Sequence, residues 1–196
     1  YCIHEFDAVI VPFADILSEC EKYGNADMVF EFASTSKVTL PGAGISCFAC
    51  SEANMEYMCK LIGIQAISFD KMNQLRHVKF LQNKEHTLAL MKEHAKILKP
   101  KFEMVVSTLE REIAPLGIAT WHKPKGGYFV SVNTTPGLAK RTLVLCKEAG
   151  VVMTSAGATY PYGHDPADSN IRVAPSLPPV EELEQAMAVF CCCLKL

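Results

Sequence analysis

Residues 29–49 constrain the fold more than any other part of the chain. An apolar, strand-like run, Val29-Phe30-Glu31-Phe32-Ala33, leads into Ser34-Thr35-Ser36-Lys37 and then into the turn Pro41-Gly42-Ala43-Gly44. Beyond the turn, Gly44-Ile45-Ser46-Cys47-Phe48-Ala49 alternates small and apolar residues, the pattern of a return strand. The expected unit is a strand, a lysine-bearing loop and a second strand. It sets one lysine among small hydroxyl residues at a strand end, where a phosphorylated aldehyde could be held and bound covalently. Most lysines are solvated surface charges, so the flanking pattern is what gives this one its interest.

The surrounding pattern supplies helices. Residues 15–23 carry Ile16, Leu17 and Cys20 at helical spacing and stop at Gly24-Asn25. Ser51-Glu52 opens a second helix, to about Ile62, with Glu52 favouring its positive end. Residues 82–116 are helical in pattern, with Leu88, Met91, Ala95 and Leu98 on one face and Val105, Leu109 and Ile113 continuing after Pro100. A proline costs about 3 kcal/mol within a helix, so a bend or break is expected just before Pro100, a natural domain hinge. Beyond it the order reads strand (119–121), strand (127–132), helix (138–149), strand (151–154), strand (171–174) and a closing helix from Pro179. That mixture implies a small α+β layer packed on one side.

Composition excludes several classes of function. With 196 residues and 49% hydrophobic content, the chain can bury a core as one large or two small soluble domains. A net charge of −2, mixed in sign along the sequence, leaves no basic stripe for a phosphate backbone, so nucleic acid is not an expected direct partner. No apolar run approaches the roughly 20 residues needed to span a bilayer, and the first residues show no export signal. The expected location is the cytoplasm. Nine cysteines are too sparse for a disulfide scaffold, and most read as small buried hydrophobes in a reducing compartment. Cys47-Phe48-Ala49-Cys50 has half-site spacing, but no second Cys/His pair completes a zinc site, and Cys191, Cys192 and Cys193 point in different directions along a helix. No metal is expected. The chain begins at a tyrosine without an initiator methionine, which reads as a fragment or processed piece.

Further motifs follow the lysine loop in order. Lys123-Pro124-Lys125-Gly126-Gly127-Tyr128-Phe129 has the form of a Pro-x-Gly-Gly-aromatic hairpin, and Asn170-Ile171-Arg172-Val173 that of a strand bearing an arginine. On these motifs the chain resembles the fold-type I aminotransferases, which use pyridoxal 5'-phosphate, and specifically their C-terminal half. Asp70-Lys71-Met72-Asn73-Gln74-Leu75-Arg76-His77 is similar to a bacterial subgroup of aspartate aminotransferase-like proteins. The resemblance implies an α/β fold: the C-terminal part of a large cofactor-binding domain with the lysine loop in residues 1–95, and a small α+β C-terminal domain in residues 96–196.

It also implies roles. Lys37 is the cofactor lysine and general base: its amine forms a Schiff base as the neutral nucleophile, and a free lysine with a pKa of ~10.4 needs burial beside cations to become one near neutral pH. Ser34 and Ser36 match the family's phosphate-binding hydroxyls, or else cap the loop. Tyr1 resembles the tyrosine whose hydroxyl meets the cofactor's phenolate oxygen. Arg172 offers a planar fork of donors to a substrate α-carboxylate, or else forms a structural ion pair. Arg76 is either a contact for a distal carboxylate or a surface residue. One departure stands out: the arginine usual shortly after the Pro-Gly turn is missing, with Gly44-Ile45 in its place. Phosphate would then be held by backbone amides, hydroxyls and residues outside the chain. His77, His122 and His164 form no triad or metal spacing and read as satisfied structural histidines, and Trp121 reads as core.

The implied activity of the parent protein is amino-group transfer between aspartate, or another acidic amino acid, and 2-oxoglutarate, in a homodimer. The fragment by itself is expected to bind cofactor weakly and to be inactive. The alternative is a non-catalytic aminotransferase-like sensor domain of a transcriptional regulator. Decarboxylation or lyase chemistry on the same cofactor stays open as a sister activity.

Overall fold

The computed structural model describes residue 6, residues 14–40 and residues 42–196. They fall into two compact units, the first ending at Met91 and the second running from Lys92 to Leu196 with Phe6. Among the described residues, no helix is long and apolar enough to cross a membrane.

The first unit is built around the anticipated hairpin. Helix α1 (Ile16–Glu21) is capped by Asp15, whose carboxylate accepts from Ser18 N at 2.9 Å. Strands β1 (Phe30–Ser34) and β2 (Ser46–Cys50) pair antiparallel, from Phe30 opposite Cys50 to Ser34 opposite Ser46. Helix α2 (Glu52–Gln65) starts at the Ser51 cap, and Asn54 Nδ2 donates to Asp27 O at 2.9 Å, tying its first turn to the 3₁₀ turn at Ala26–Met28.

Helix α3 (Lys71–Leu81) was not legible in the hydrophobic pattern. Asp70 caps it, accepting from Asn73 N at 2.9 Å. Its apolar residues Met72, Leu75 and Val78 are 72%, 47% and 65% exposed, whereas its one buried residue is His77. A helix that buries a polar side chain and exposes its apolar ones defeats the usual periodicity argument.

Helix α4 (Lys84–Glu112) corrects the expected break at Pro100, because it runs through the proline without interruption. Pro100 lies on an exposed position, so its ring and missing N–H disturb the solvent side. The other face buries Leu98, Phe102, Val105 and Leu109 in the core of the second unit. Each such side chain contributes roughly 1.5–3 kcal/mol on burial, which together exceeds the ~3 kcal/mol cost of one proline.

The second unit has a three-stranded antiparallel sheet in the order β3 (Ala119–Trp121), β4 (Val130–Thr134), β5 (Asn170–Val173). Its core joins α4 and the sheet to α5 (Ala139–Glu148) and α6 (Val180–Lys195), with Val130, Val132, Ile171, Cys146, Met187 and Phe190 buried and Trp121 packed at the edge. The strand expected at 151–154 does not form. Gly150, at φ 90°, instead ends α5 in a Schellman turn, with Gly150 N donating to Lys147 O and Val151 N to Cys146 O. The N–H that a sheet would use is spent on the helix end.

Candidate functional site

The lysine loop is a single helical turn set on the end of the hairpin. Thr35 N donates to Ile45 O at 2.9 Å, carrying the strand pairing past Ser34, and Thr35 O accepts from Val38 N at 2.9 Å and Thr39 N at 3.0 Å. Lys37 sits in the middle of this turn and is exposed. Ser34 Oγ donates to Ser36 Oγ at 3.0 Å, and both residues are exposed beside the lysine. Across the loop, a Cβ on Gly44 would stand 3.3 Å from Ser36 N and 3.4 Å from its Cα. A side chain there would be in tight contact with the Ser36 backbone, so glycine eases the close approach of the two arms.

A polar brace holds this loop from α3. His77, 2% exposed, brings Nε2 to 2.8 Å from Thr39 Oγ1 and 3.3 Å from Thr35 Oγ1, and its Nδ1 to 2.9 Å from Asn73 O. A carbonyl only accepts, so Nδ1 carries a proton, and in the neutral imidazole Nε2 then receives the threonine hydroxyl. Asn73 adds a second tie, its Nδ2 donating to Ala43 O at 2.8 Å. His77 is therefore a satisfied structural histidine, as expected. Its partners were not visible in the sequence, because they lie 38 and 42 residues away. Arg76, one residue earlier on the exposed side, places Nη1 3.4 Å from Asn73 Oδ1.

Arg172 belongs to the second unit. It stands on β5 opposite Ser131 of β4, with its Cζ 4.5 Å from the centre of the Phe129 ring, a cation–π contact. Its Nε is buried and has no hydrogen-bond partner among the described residues. A buried guanidinium N–H without an acceptor is costly, so this atom is one that an incoming carboxylate would satisfy. The strand is anchored just upstream. Asp165 Oδ2 accepts from Ser169 N and Asn170 N at 2.8 Å each, and Oδ1 accepts from Ala167 N at 3.0 Å. The Asn170 and Ser169 N–H groups hold the Asp165 carboxyl below the usual carboxylate range. Asn170 Nδ2 then bonds Ser131 Oγ and Asn133 Oδ1, while its Oδ1 accepts from Thr159 Oγ1 at 2.7 Å.

Of the residues singled out in the sequence, Ser34, Ser36 and Lys37 share one loop, Arg76 lies on α3 of the same unit, and Arg172 lies in the other unit. Tyr1 lies outside the described residues. Phe129, under the Arg172 guanidinium, was part of a recognised motif without this role being foreseen. Among the described residues, no three His, Cys, Asp or Glu side chains group as metal ligands. Burial pushes the Cys146 thiol up to about 12 and Cys191 to about 11, so both stay protonated.

All 196 residues match the family model described as aspartate amino-transferase. An aspartate aminotransferase of Corynebacterium glutamicum is 42% identical over the whole chain, which covers 45% of that protein. The crystal structure of an aspartate transaminase from the same organism superposes with a TM-score of 0.92 at 42% identity, over 99% of this chain and 46% of the other. The alpha-aminoadipate aminotransferase of Thermus thermophilus, solved with N-(5'-phosphopyridoxyl)-L-leucine, shares the fold with a TM-score of 0.78 at 17% identity, over 100% of this chain and 48% of its own. The chain thus spans about half the length of the relatives that it matches.

Proposed function

The chain belongs to the aspartate aminotransferase family, and from that premise we propose that it supplies the lysine and the carboxylate-binding arginine of a pyridoxal-phosphate-dependent transaminase. The reaction is amino-group transfer between aspartate, or another acidic amino acid, and 2-oxoglutarate, by a cytoplasmic homodimer of the relatives' full length. The observation that carries this reading is Lys37, held at the centre of a braced turn with the hydroxyls of Ser34 and Ser36 beside it.

The residues fit the cofactor. Two hydroxyls adjacent to Lys37 can donate to phosphate oxygens, and the glycine at position 44 keeps side-chain bulk away from Ser36. When bound, pyridoxal phosphate supplies the aldehyde carbon and a ring that accepts electron density from the substrate Cα. Lys37 Nζ would hold the cofactor's aldehyde carbon and would serve as the base for the substrate Cα proton. Ser34 and Ser36 orient the phosphate. By the resemblance, Tyr1 is the candidate for meeting the cofactor's phenolate oxygen. Arg172 is the residue to take the substrate α-carboxylate, through the planar fork of its guanidinium. Arg76 is a candidate for a distal carboxylate.

The test is Lys37→Ala in the full-length protein. Its transamination of aspartate with 2-oxoglutarate should fall by several orders of magnitude, and borohydride should no longer fix a pyridoxyl group in the peptide containing residue 37. Full activity in this variant would overturn the assignment.

A further inference from the structure

The chemistry of transamination has no direct use for His77, yet this side chain is almost fully buried and touches the lysine turn on both sides. Thr35 and Thr39 each lie two residues from Lys37, and their hydroxyls are the groups that meet His77 Nε2. The hydrogen-bond directions are set by chemistry. Asn73 O requires a donor at Nδ1, and in the neutral imidazole that makes Nε2 an acceptor. Thr39 Oγ1, at 2.8 Å, is the nearer hydroxyl and supplies the proton, while Thr35 Oγ1 accepts from Ile45 N at 2.9 Å. The neighbouring Asn73 side chain holds Ala43 O, on the other arm of the loop. One face of α3 therefore grips both arms, from Thr35 to Thr39 and from Ala43 to Ile45.

We propose that His77, with Asn73, is a positioning residue that fixes the Thr35–Thr39 turn and so sets where the Lys37 amine projects. This rests on the reading of Lys37 as the cofactor lysine. The imidazole suits the task because its two nitrogens lie in a rigid ring, one donating along its own helix and the other accepting from the loop. Ser34, Ser36, Lys37 and Leu40 are exposed and Val38 is the turn's one buried side chain, so the polar ties from α3 restrain a side of the turn that apolar packing does not reach. Loosening the turn would spread the amine over several positions, and a displacement of about 1 Å at a reacting group is enough to cost on the order of 100-fold in rate.

The variants His77→Phe, Thr39→Val and their combination separate this role from bulk stability, with His77→Gln, which keeps a donor and an acceptor, as the rescue. In the full-length enzyme, His77→Phe and Thr39→Val should each lower kcat by about tenfold or more while KM for the amino acid changes by less than about twofold. The rate at which pyridoxal phosphate is captured by Lys37, read as borohydride-fixed pyridoxyl peptide, should fall in parallel. The double variant should be no worse than the weaker single, because both changes remove the same bond. His77→Gln should recover most of the rate. Capture at the wild-type rate in Thr39→Val, or a kcat per folded molecule unchanged in either single variant, would overturn the proposal. If wild-type protein is instead labelled at another lysine, the reading of Lys37 fails, which is a different result from labelling of Lys37 that is indifferent to His77.

Discussion

Three backbone N–H groups converge on the Asp165 carboxylate and turn the chain into the strand that carries Arg172. The arrangement favours the ionised form, so its pKa in the folded protein lies below that of the unfolded chain. Its stabilising contribution is therefore complete above the unfolded value of ~3.9 and is lost as pH falls through the lower folded value. Thermal unfolding midpoints compared between wild type and Asp165→Asn should differ most near neutral pH and converge in strong acid. A constant difference at every pH would show that the carboxylate charge is irrelevant. At this scale the sequence was informative where chemistry is local. Ser34, Ser36 and Lys37 are near neighbours along the chain, and they are near neighbours in the fold. The place of Phe129 beneath Arg172 and the partners of His77 behind the lysine turn were not visible, because a pairing across strands or over some 40 residues leaves no trace in local spacing.

Most elements followed from hydrophobic alternation, caps and glycine stops, and the exceptions have identifiable causes. Helix α3 exposes its apolar residues, so the hydrophobic pattern did not reveal it. Residues 151–154 look like a strand, but their first N–H closes the end of α5. Pro100 looks like a break, but the buried face of α4 carries the helix across it. That last case gives a prediction at the level of the element. Pro100→Ala restores an N–H able to reach Lys96 O and removes the ring clash at an exposed position, so it should stabilise the protein by up to about 3 kcal/mol. Chemical denaturation would measure this. A destabilised variant would mean that the proline shapes the helix in a way the packing needs.

Across the whole molecule, burial sorts the cysteines, and with them the reach of a thiol reagent. Cys47, Cys59 and Cys192 are exposed, whereas Cys146, Cys191 and Cys193 are buried in the core of the second unit. A thiolate is the reactive form, and burial holds Cys146 and Cys191 far above neutral pH. Alkylation of the native chain followed by peptide mapping should modify the first group quickly and the second only after unfolding. Rapid native labelling of Cys146 would contradict this core. The sequence by itself determined the hairpin and its lysine loop, the main helices and the family, because these rest on short-range patterning and on motifs that keep their order along the chain. The tertiary structure alone decided that α3 braces the loop through a buried histidine, that Asp165 turns the chain into the arginine strand, and that the Arg172 guanidinium lies over Phe129. Each depends on how segments distant in sequence are brought together, and polar side chains find their partners only after the apolar core has set those positions.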